Sequence, residues 1–240
     1  MSEPIEPWDE RSAELYEAVF AVDNHEAQVA YLHRVIDERV PDAASLLDVA
    51  CGTGWHLEHF QRWYDVAGTD LSPAMLERAR GRLRDARFIE ADMREFDFGC
   101  SFDAVTCLSS SIAWMPETDA LDAAVANMAR HTSPGGVVII EPWNDPTDDP
   151  TESLPWTRTV QADDLVISLM ETTTLRGSTW VEESHYLIGT DGDIQHKLER
   201  AEFSAFTKEN LRASFQAANL DTTYDPVGPL GRGLWIGIKR

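Results

Sequence analysis

The sequence predicts an α/β fold built on a mostly parallel sheet of seven strands, with helices on both faces and an inserted antiparallel β cap. Three observations carry that prediction. Short apolar runs alternate with helical stretches from residue 45 to residue 140, the pattern of parallel strands joined by crossover helices. A glycine-rich turn, Cys51-Gly52-Thr53-Gly54, follows the first of those runs. After residue 156 the texture becomes a polar–apolar alternation broken by turn residues, which belongs to hairpins.

Taken in order, residues 10–40 place Leu15, Val19 and Val22, then Val29, Leu32, Val35 and Ile36, at helical spacing. They read as two helices separated near Asp23-Asn24, with Asn24 suited to cap the second. Ser45 to Ala50 is a short apolar strand, and Leu57, Phe60 and the Trp63-Tyr64 pair after it look helical. Val66 to Thr69 is a second strand ending at Asp70, and Ser72-Pro73 opens another helix, serine at the cap and proline at the first helical position. Strands follow at Ala86–Glu90, ending near Asp92, and at Phe102–Leu108. A helix over Leu121–His131 is expected to stop at Pro134-Gly135-Gly136, before a doubly buried strand, Val137–Ile140. Four prolines, Pro142, Pro146, Pro150 and Pro155, mark residues 142–156 as an irregular connection. Residues 157–206 read as a meander of three or four strands with turns at Arg176-Gly177-Ser178 and Thr190-Asp191-Gly192-Asp193. A helix from Lys208 to Asn219, capped by Thr207, and strands near Asp221–Asp225 and Leu234–Lys239 complete the chain. The expected organisation is one domain over 1–240: a helical lid at 10–40, a core at 41–143 and 207–240, and a cap at 157–206. A meander inserted there belongs over the carboxyl edge of the sheet, where α/β ligands bind.

Composition narrows the function. Twenty basic and forty-two acidic residues leave a net charge of −22, so phosphate backbones and anionic lipid surfaces would be repelled. No apolar run approaches the ~18 residues of a membrane span, and Met1 to Asp9 lacks an export signal. A cytoplasmic protein without nucleic acid or membrane partners is expected. Lysine is confined to Lys197, Lys208 and Lys239. Abundant carboxylates with scarce lysine suit high salt, where self-repulsion is screened; an arginine-rich codon bias is the alternative. Three cysteines without a Cys-x-x-Cys pair point to reduced thiols.

The turn after the first strand carries the most chemistry. A dinucleotide site would ask for a third glycine where Leu57 stands, and a phosphate loop for Lys-Ser/Thr where Trp55-His56 follow. An acid beside the turn, Asp48, suits a cation rather than a phosphate. Asp70, 22 residues later at the tip of the second strand, can accept from both hydroxyls of a ribose. Asp92 ends the third strand, placed for an adenine amino group, with Met93 beside it to pack on the ring.

This constellation resembles the class I S-adenosylmethionine-dependent methyltransferases, whose first motif reads as Leu47-Asp48-Val49-Ala50-Cys51-Gly52-Thr53-Gly54 does here. Within that class, Leu46 to Phe60, Glu141-Pro142-Trp143 and Gly228 to Trp235 look like the N,N-dimethyltransferases that act on nucleotide-linked amino sugars in macrolide pathways. The resemblance implies a Rossmann-like methyltransferase sheet and S-adenosyl-L-methionine held by Asp48, Ala50, Gly52, Gly54, Asp70, Leu71, Asp92, Met93 and Leu108. It also implies methyl transfer to the amine of a thymidine-diphosphate amino sugar. Where the family helix bearing Tyr16 runs on to a further tyrosine, this chain has Phe20, and the meander matches the family poorly.

In-line transfer from a sulfonium needs alignment above all, and a base that keeps the amine neutral adds to it. Candidates are Glu141, at a strand tip, and His185, in the meander; Tyr16, on the N-terminal lid, can bond substrate or donor carboxylate. A diphosphate in a chain of −22 needs local positive charge, and Arg232, between Gly231 and Gly233, offers a planar fork. Trp143 is placed to wall the acceptor pocket. His56 and His59 lack a third ligand, so no metal is expected. Ser109 and Ser110 end the fourth strand beside the expected methyl position, without a Ser-His-Asp arrangement. A small-molecule acceptor is the expected partner, and a homodimer is possible. Other small amines, hydroxyls or carboxylates remain alternative acceptors, and a non-catalytic donor-binding protein remains an alternative to an enzyme.

Overall fold

The computed structural model describes residues 8–148, 155–162 and 165–240. In chain order the elements are α1 (Glu10–Phe20), α2 (His25–Asp37), β1 (Ser45–Val49), α3 (Trp55–Phe60), β2 (Asp65–Asp70), α4 (Pro73–Arg82), β3 (Arg87–Glu90) and β4 (Phe102–Cys107). A 3-10 turn (Ser111–Trp114), α5 (Thr118–Arg130) and β5 (Thr132–Ile140) follow. Then come β6 (Trp156–Ala162), β7 (Leu165–Arg176), β8 (Thr179–Thr190), β9 (Asp193–Ser204), α6 (Lys208–Ala217), β10 (Leu220–Asp225) and β11 (Leu234–Lys239). The chain divides into two compact units: Asn24–Asp145 with Phe206–Arg240, and residues up to Asp23 with Pro146–Ala205.

The larger unit holds a seven-stranded sheet in the order β10-β11-β5-β4-β1-β2-β3. Six of the seven strands run in the same direction, β5, β4, β1, β2 and β3 pairing parallel in turn, and β11 alone is antiparallel, to β5 and to β10. From β1 the chain winds outward to β2 and β3, then returns to add β4 and β5 on the other side. The order therefore reverses between β1 and β4, where open α/β sheets bind ligands. Leu46, Leu47 and Val49, with Val137 to Ile140, are fully buried, as strands covered on both faces require. Helix starts follow their capping residues: Asn24 accepts from Ala27 N at 3.0 Å, Ser72 accepts from Met75 N at 3.2 Å, and Thr207 with Asn210 forms a capping box. Asn219 takes a left-handed conformation, φ 57°, just past α6.

Two sequence expectations are corrected in this unit. Pro134-Gly135-Gly136 does not precede the fifth strand but lies inside it, because β5 starts at Thr132. The pairing jumps from Phe102↔Thr132 to Ala104↔Val137, so the extra residues bulge out. Gly136 fits because a Cβ there would stand 2.7 Å from the Asp103 carbonyl oxygen. The helix expected to reach Trp63-Tyr64 ends at Phe60. Trp63 stacks on His33 at 4.1 Å instead, and the Tyr64 hydroxyl lies 2.7 Å from His33 Nδ1.

The smaller unit is an antiparallel meander, β6-β7-β8-β9, with two-residue loops at Gly177-Ser178 and Asp191-Gly192. Gly177 (φ 66°) and Gly192 (φ 82°) supply the positive dihedrals those tight turns need. One face carries Ile167, Leu169, Tyr186 and Ile188, packed against Leu15 and Val19 of α1. Polar contacts fix that helix: Ser12 Oγ donates to Glu199 at 3.0 Å, and Arg158 Nη1 donates to the Val19 carbonyl at 3.1 Å and pairs with Asp23 at 2.7 Å. The two helices expected as one lid therefore divide, α1 with the meander and α2 with the core. Residues 149–154 of the irregular connection, and residues 1–7, lie outside the described residues. Among the described residues no helix is long and apolar enough to cross a membrane.

Candidate active site

At the carboxyl edge of the larger sheet, residues following the neighbouring strands β1, β2 and β3 lie side by side. After β1 the chain turns through Ala50 (φ 58°), Gly52 (φ 53°) and Gly54 (φ 83°). The glycines serve different ends. A Cβ on Gly52 would meet nothing within 4 Å, so the turn is open there, whereas one on Gly54 would press on Leu83 and Ala79 at 3.2 and 3.3 Å. The turn is pinned by Cys51 N to the Thr69 carbonyl at 3.0 Å and by Arg82 Nε to the Thr53 carbonyl at 3.1 Å. The Arg82 guanidinium also lies 3.5 Å from the centre of the Trp55 ring, a cation–π contact.

Asp48 is buried, and its Oδ1 accepts from Thr106 Oγ1 at 2.7 Å. Burial pushes its carboxyl up to about 7, with the nearby Asp70 charge adding to the shift. Asp70 accepts from Gly52 N at 2.8 Å and Ser72 N at 2.9 Å, so one carboxylate joins the glycine turn to the start of α4. Burial raises its pKa, against the pull of those amides. Leu71 beside it is exposed. Asp92 is gripped by Arg94: Nη2 at 2.6 Å on Oδ2, with Nε at 2.9 Å and the backbone N at 2.8 Å on Oδ1. That grip holds the Asp92 carboxyl below its usual range. Met93 and Leu108 are buried, and the Met93 carbonyl accepts from Asn127 Nδ2 at 3.3 Å. These residues fit S-adenosylmethionine: an open glycine turn, a buried acid beside it, and two further acids at the tips of β2 and β3. Asp92 Oδ2 retains acceptor capacity beyond its arginine, since a carboxylate oxygen has two lone pairs.

At β4 and β5 the sheet edge carries a second group. Glu141 is 1% exposed. Its Oε2 accepts from Ser109 N at 2.8 Å, and its Oε1 lies 3.7 Å from Arg232 Nη2. Burial raises the Glu141 pKa and the Arg232 charge opposes that rise. The Arg232 guanidinium sits 5.3 Å from the Trp143 ring centre. Glu141 Oε1 and Arg232 Nε are both buried without a hydrogen-bond partner.

Two further sequence candidates belong to the smaller unit. Tyr16 lies in α1, its ring 4.8 Å from Phe20, and His185 lies in β8, so both belong to the smaller unit. Strand alternation puts His185 on the face away from α1, where its Nδ1 is 3.0 Å from His196 Nε2. His56 is committed to Gln28 Oε1 at 2.8 Å, and burial lowers its pKa to about 3. Sequence reading missed Arg94 as the partner of Asp92, although the two-residue spacing was visible. It also missed that Arg232 faces Glu141, for which no local signal exists.

Residues 46–136 match the family model described as "Methyltransferase domain". The chain is 37% identical over 219 residues to the dTDP-3-amino-3,4,6-trideoxy-alpha-D-glucopyranose N,N-dimethyltransferase of Streptomyces venezuelae, covering 90% of this chain and 91% of that protein. It is 40% identical over 231 residues to the dTDP-3-amino-3,6-dideoxy-alpha-D-glucopyranose N,N-dimethyltransferase of Streptomyces fradiae, covering 94% and 90%. Among solved structures it is similar to DesVI of Streptomyces venezuelae, with TM-score 0.89 and 35% identity, over 97% of this chain and 99% of that one. It is likewise similar to S-adenosylmethionine-bound CalS10, an amino pentose methyltransferase, with TM-score 0.87 and 32% identity over the whole of both chains. Sheet order and full-length similarity agree: the chain is an S-adenosylmethionine-dependent methyltransferase and belongs to the family of nucleotide-linked amino-sugar N,N-dimethyltransferases.

Proposed function

We propose that this enzyme methylates the amine of a thymidine-diphosphate-linked amino sugar. The observation that carries the reading is the ion pair of the buried Glu141 Oε1 with Arg232 Nη2 at 3.7 Å, in which the acceptor Oε1 and the donor Arg232 Nε are left without a hydrogen bond. Leaving such atoms unsatisfied costs about 1–3 kcal/mol each, so a ligand that brings both a donor and an acceptor gains by filling them. An amino sugar diphosphate brings an amine and phosphate oxygens. Arg232 also supplies positive charge in a chain of net charge −22, and its fork suits phosphate oxygens. Full-length similarity to relatives named for dTDP-amino sugars points the same way.

Sheet order supports a division of labour along the edge. Asp92 after β3 is assigned the adenine amino group, Asp70 after β2 the ribose, and Asp48 with the Ala50–Gly54 turn the amino-acid end of the donor, lined by Leu71, Met93 and Leu108. The next strands in the sheet, β4 and β5, then serve the acceptor, with Trp143 as a wall and Arg232 for the diphosphate. Bound S-adenosylmethionine supplies an electrophilic methyl on a sulfonium. The chain's own work is to hold the acceptor in line, worth on the order of 7–11 kcal/mol through proximity, and to keep its amine neutral. Glu141 is assigned the second task, with Oε1 receiving the proton; its raised pKa suits a base. Tyr16 and His185 keep their proposed roles as tests by substitution, Tyr16→Phe and His185→Ala.

The deciding experiment is calorimetric titration with S-adenosylhomocysteine and then thymidine diphosphate, followed by mass spectrometry of dTDP-3-amino-3,6-dideoxyglucose incubated with the donor. Binding of both, with singly and doubly methylated product, is expected. Binding of the first ligand alone, without product, reopens the acceptor to other small amines, hydroxyls and carboxylates.

A further inference from the structure

The connection leaving β4 is unusual in its backbone. Ser109 has φ 51°, and Ser110 has φ 62° and ψ 16°. Ser111 N donates to the Leu108 carbonyl at 3.1 Å, so Leu108 to Ser111 form a turn of the type I′ kind, with both central residues left-handed. Glycine, asparagine and aspartate dominate such turns because a Cβ is penalised there. Two consecutive serines are a costly choice, and the turn joins a strand to a 3-10 segment rather than closing a hairpin.

Neighbours from the next strand hold it in that shape. Ser109 N donates to Glu141 Oε2 at 2.8 Å, and Ser110 Oγ donates to the Pro142 carbonyl at 2.8 Å. Both braces come from residues just after β5. Leu108 and Ser110 are buried, whereas Ser109 is exposed. The strained, doubly braced turn thus presents one side chain, a hydroxyl, at the strand next to β1 on the acceptor side of the switch point. Strain kept by over-determined surroundings concentrates at functional sites, and the comparable left-handed residue Ala50 lies in the glycine turn.

We propose that Ser109 binds and orients the methyl acceptor through its hydroxyl, and that Glu141 is, besides its proposed proton-accepting part, the positioning residue that fixes the Ser109 backbone. A hydroxyl both donates and accepts, which suits the amine or a neighbouring ring hydroxyl of a sugar. The inference rests on the acceptor lying at the β4–β5 end of the edge.

Two substitutions separate the hydroxyl from the backbone. Ser109→Ala keeps the left-handed strain and removes the hydroxyl; Ser109→Gly removes both. Both are expected to lower kcat/KM for the acceptor tenfold or more, while S-adenosylhomocysteine binds within twofold of wild type. Ser109→Gly is expected to raise the melting temperature by a few degrees relative to Ser109→Ala. The kinetics use dTDP-3-amino-3,6-dideoxyglucose or, should wild type not turn it over, whichever acceptor wild type methylates in the screen of amines, hydroxyls and carboxylates. Failure of the nucleotide-sugar reading thus appears in wild type, and failure of this inference in the variants. Wild-type acceptor kinetics in Ser109→Ala would overturn it, as would a loss in both variants accompanied by equal loss of S-adenosylhomocysteine binding.

Discussion

At Asp48 the fold changes the chemistry of a residue most plainly. Its carboxyl, ordinarily near 3.8, is raised to about 7 by burial, so the folded protein holds a proton that the unfolded chain releases. An acid raised in this way contributes stability that is present at low pH and lost as pH climbs from about 4 through 7. Asp48→Asn keeps an acceptor for Thr106 and abolishes that loss. By linkage its stability relative to wild type should improve between pH 5 and pH 8 by on the order of 2–4 kcal/mol. Urea unfolding at both pH values measures this, and an equal difference at the two would refute the assignment. Asp70→Ala removes the acceptor for Gly52 N and Ser72 N together with the proposed ribose contact. Charged hydrogen bonds of about 1.5–3 kcal/mol translate into roughly 10- to 100-fold weaker S-adenosylhomocysteine binding by calorimetry; unchanged affinity would remove Asp70 from the site. The positions of Asp48, Asp70 and Asp92 at or next to the ends of β1, β2 and β3 were legible in the sequence, because a strand end is a local signal. The Ser109, Glu141 and Arg232 cluster was not, because it joins residues 32 and 91 positions apart that only the sheet order makes neighbours.

Elements were legible wherever periodicity and caps agreed. The alternation of strands and helices, the Asn24, Ser72 and Thr207 caps and the turns at Gly177-Ser178 and Asp191-Gly192 stand where the sequence put them. The start of β5 was hidden because Pro134-Gly135-Gly136 reads locally as a break, and only its β4 partner shows that those residues bulge within a strand. The division of α1 from α2 was equally hidden, since both have one apolar stripe and the stripe does not name its partner. Within β2, Gly68 faces the underside of the glycine turn: a Cβ there would lie 2.7 Å from Cys51 Sγ and 2.9 Å from the Phe88 ring. Gly68→Ala should therefore destabilise by about 1–3 kcal/mol and also weaken S-adenosylhomocysteine binding, because the displaced neighbour is Cys51. A stable variant with wild-type affinity would show that the turn does not depend on this packing.

The whole molecule carries twenty-two more acidic than basic residues, and like charges on one surface destabilise the compact state until salt screens them. The melting temperature is expected to rise steadily from low to molar sodium chloride, and a flat profile would show that the acidic surface is already balanced by its arginine pairs. The two units are each assembled from separated stretches of chain, Asp23 and Pro146 belonging to one and Asn24 and Asp145 to the other. On the ribosome this interleaving fixes a schedule. Helix α1 emerges well before its partners, because the strands that cover Leu15 and Val19 begin only at Trp156. At about 5–20 residues per second that apolar stripe waits roughly 7–27 s for its partner. The central sheet waits as well, because β11, which pairs with β5, is translated after every other strand of that sheet. Nascent chains of this enzyme should therefore remain chaperone clients until β11 has been made.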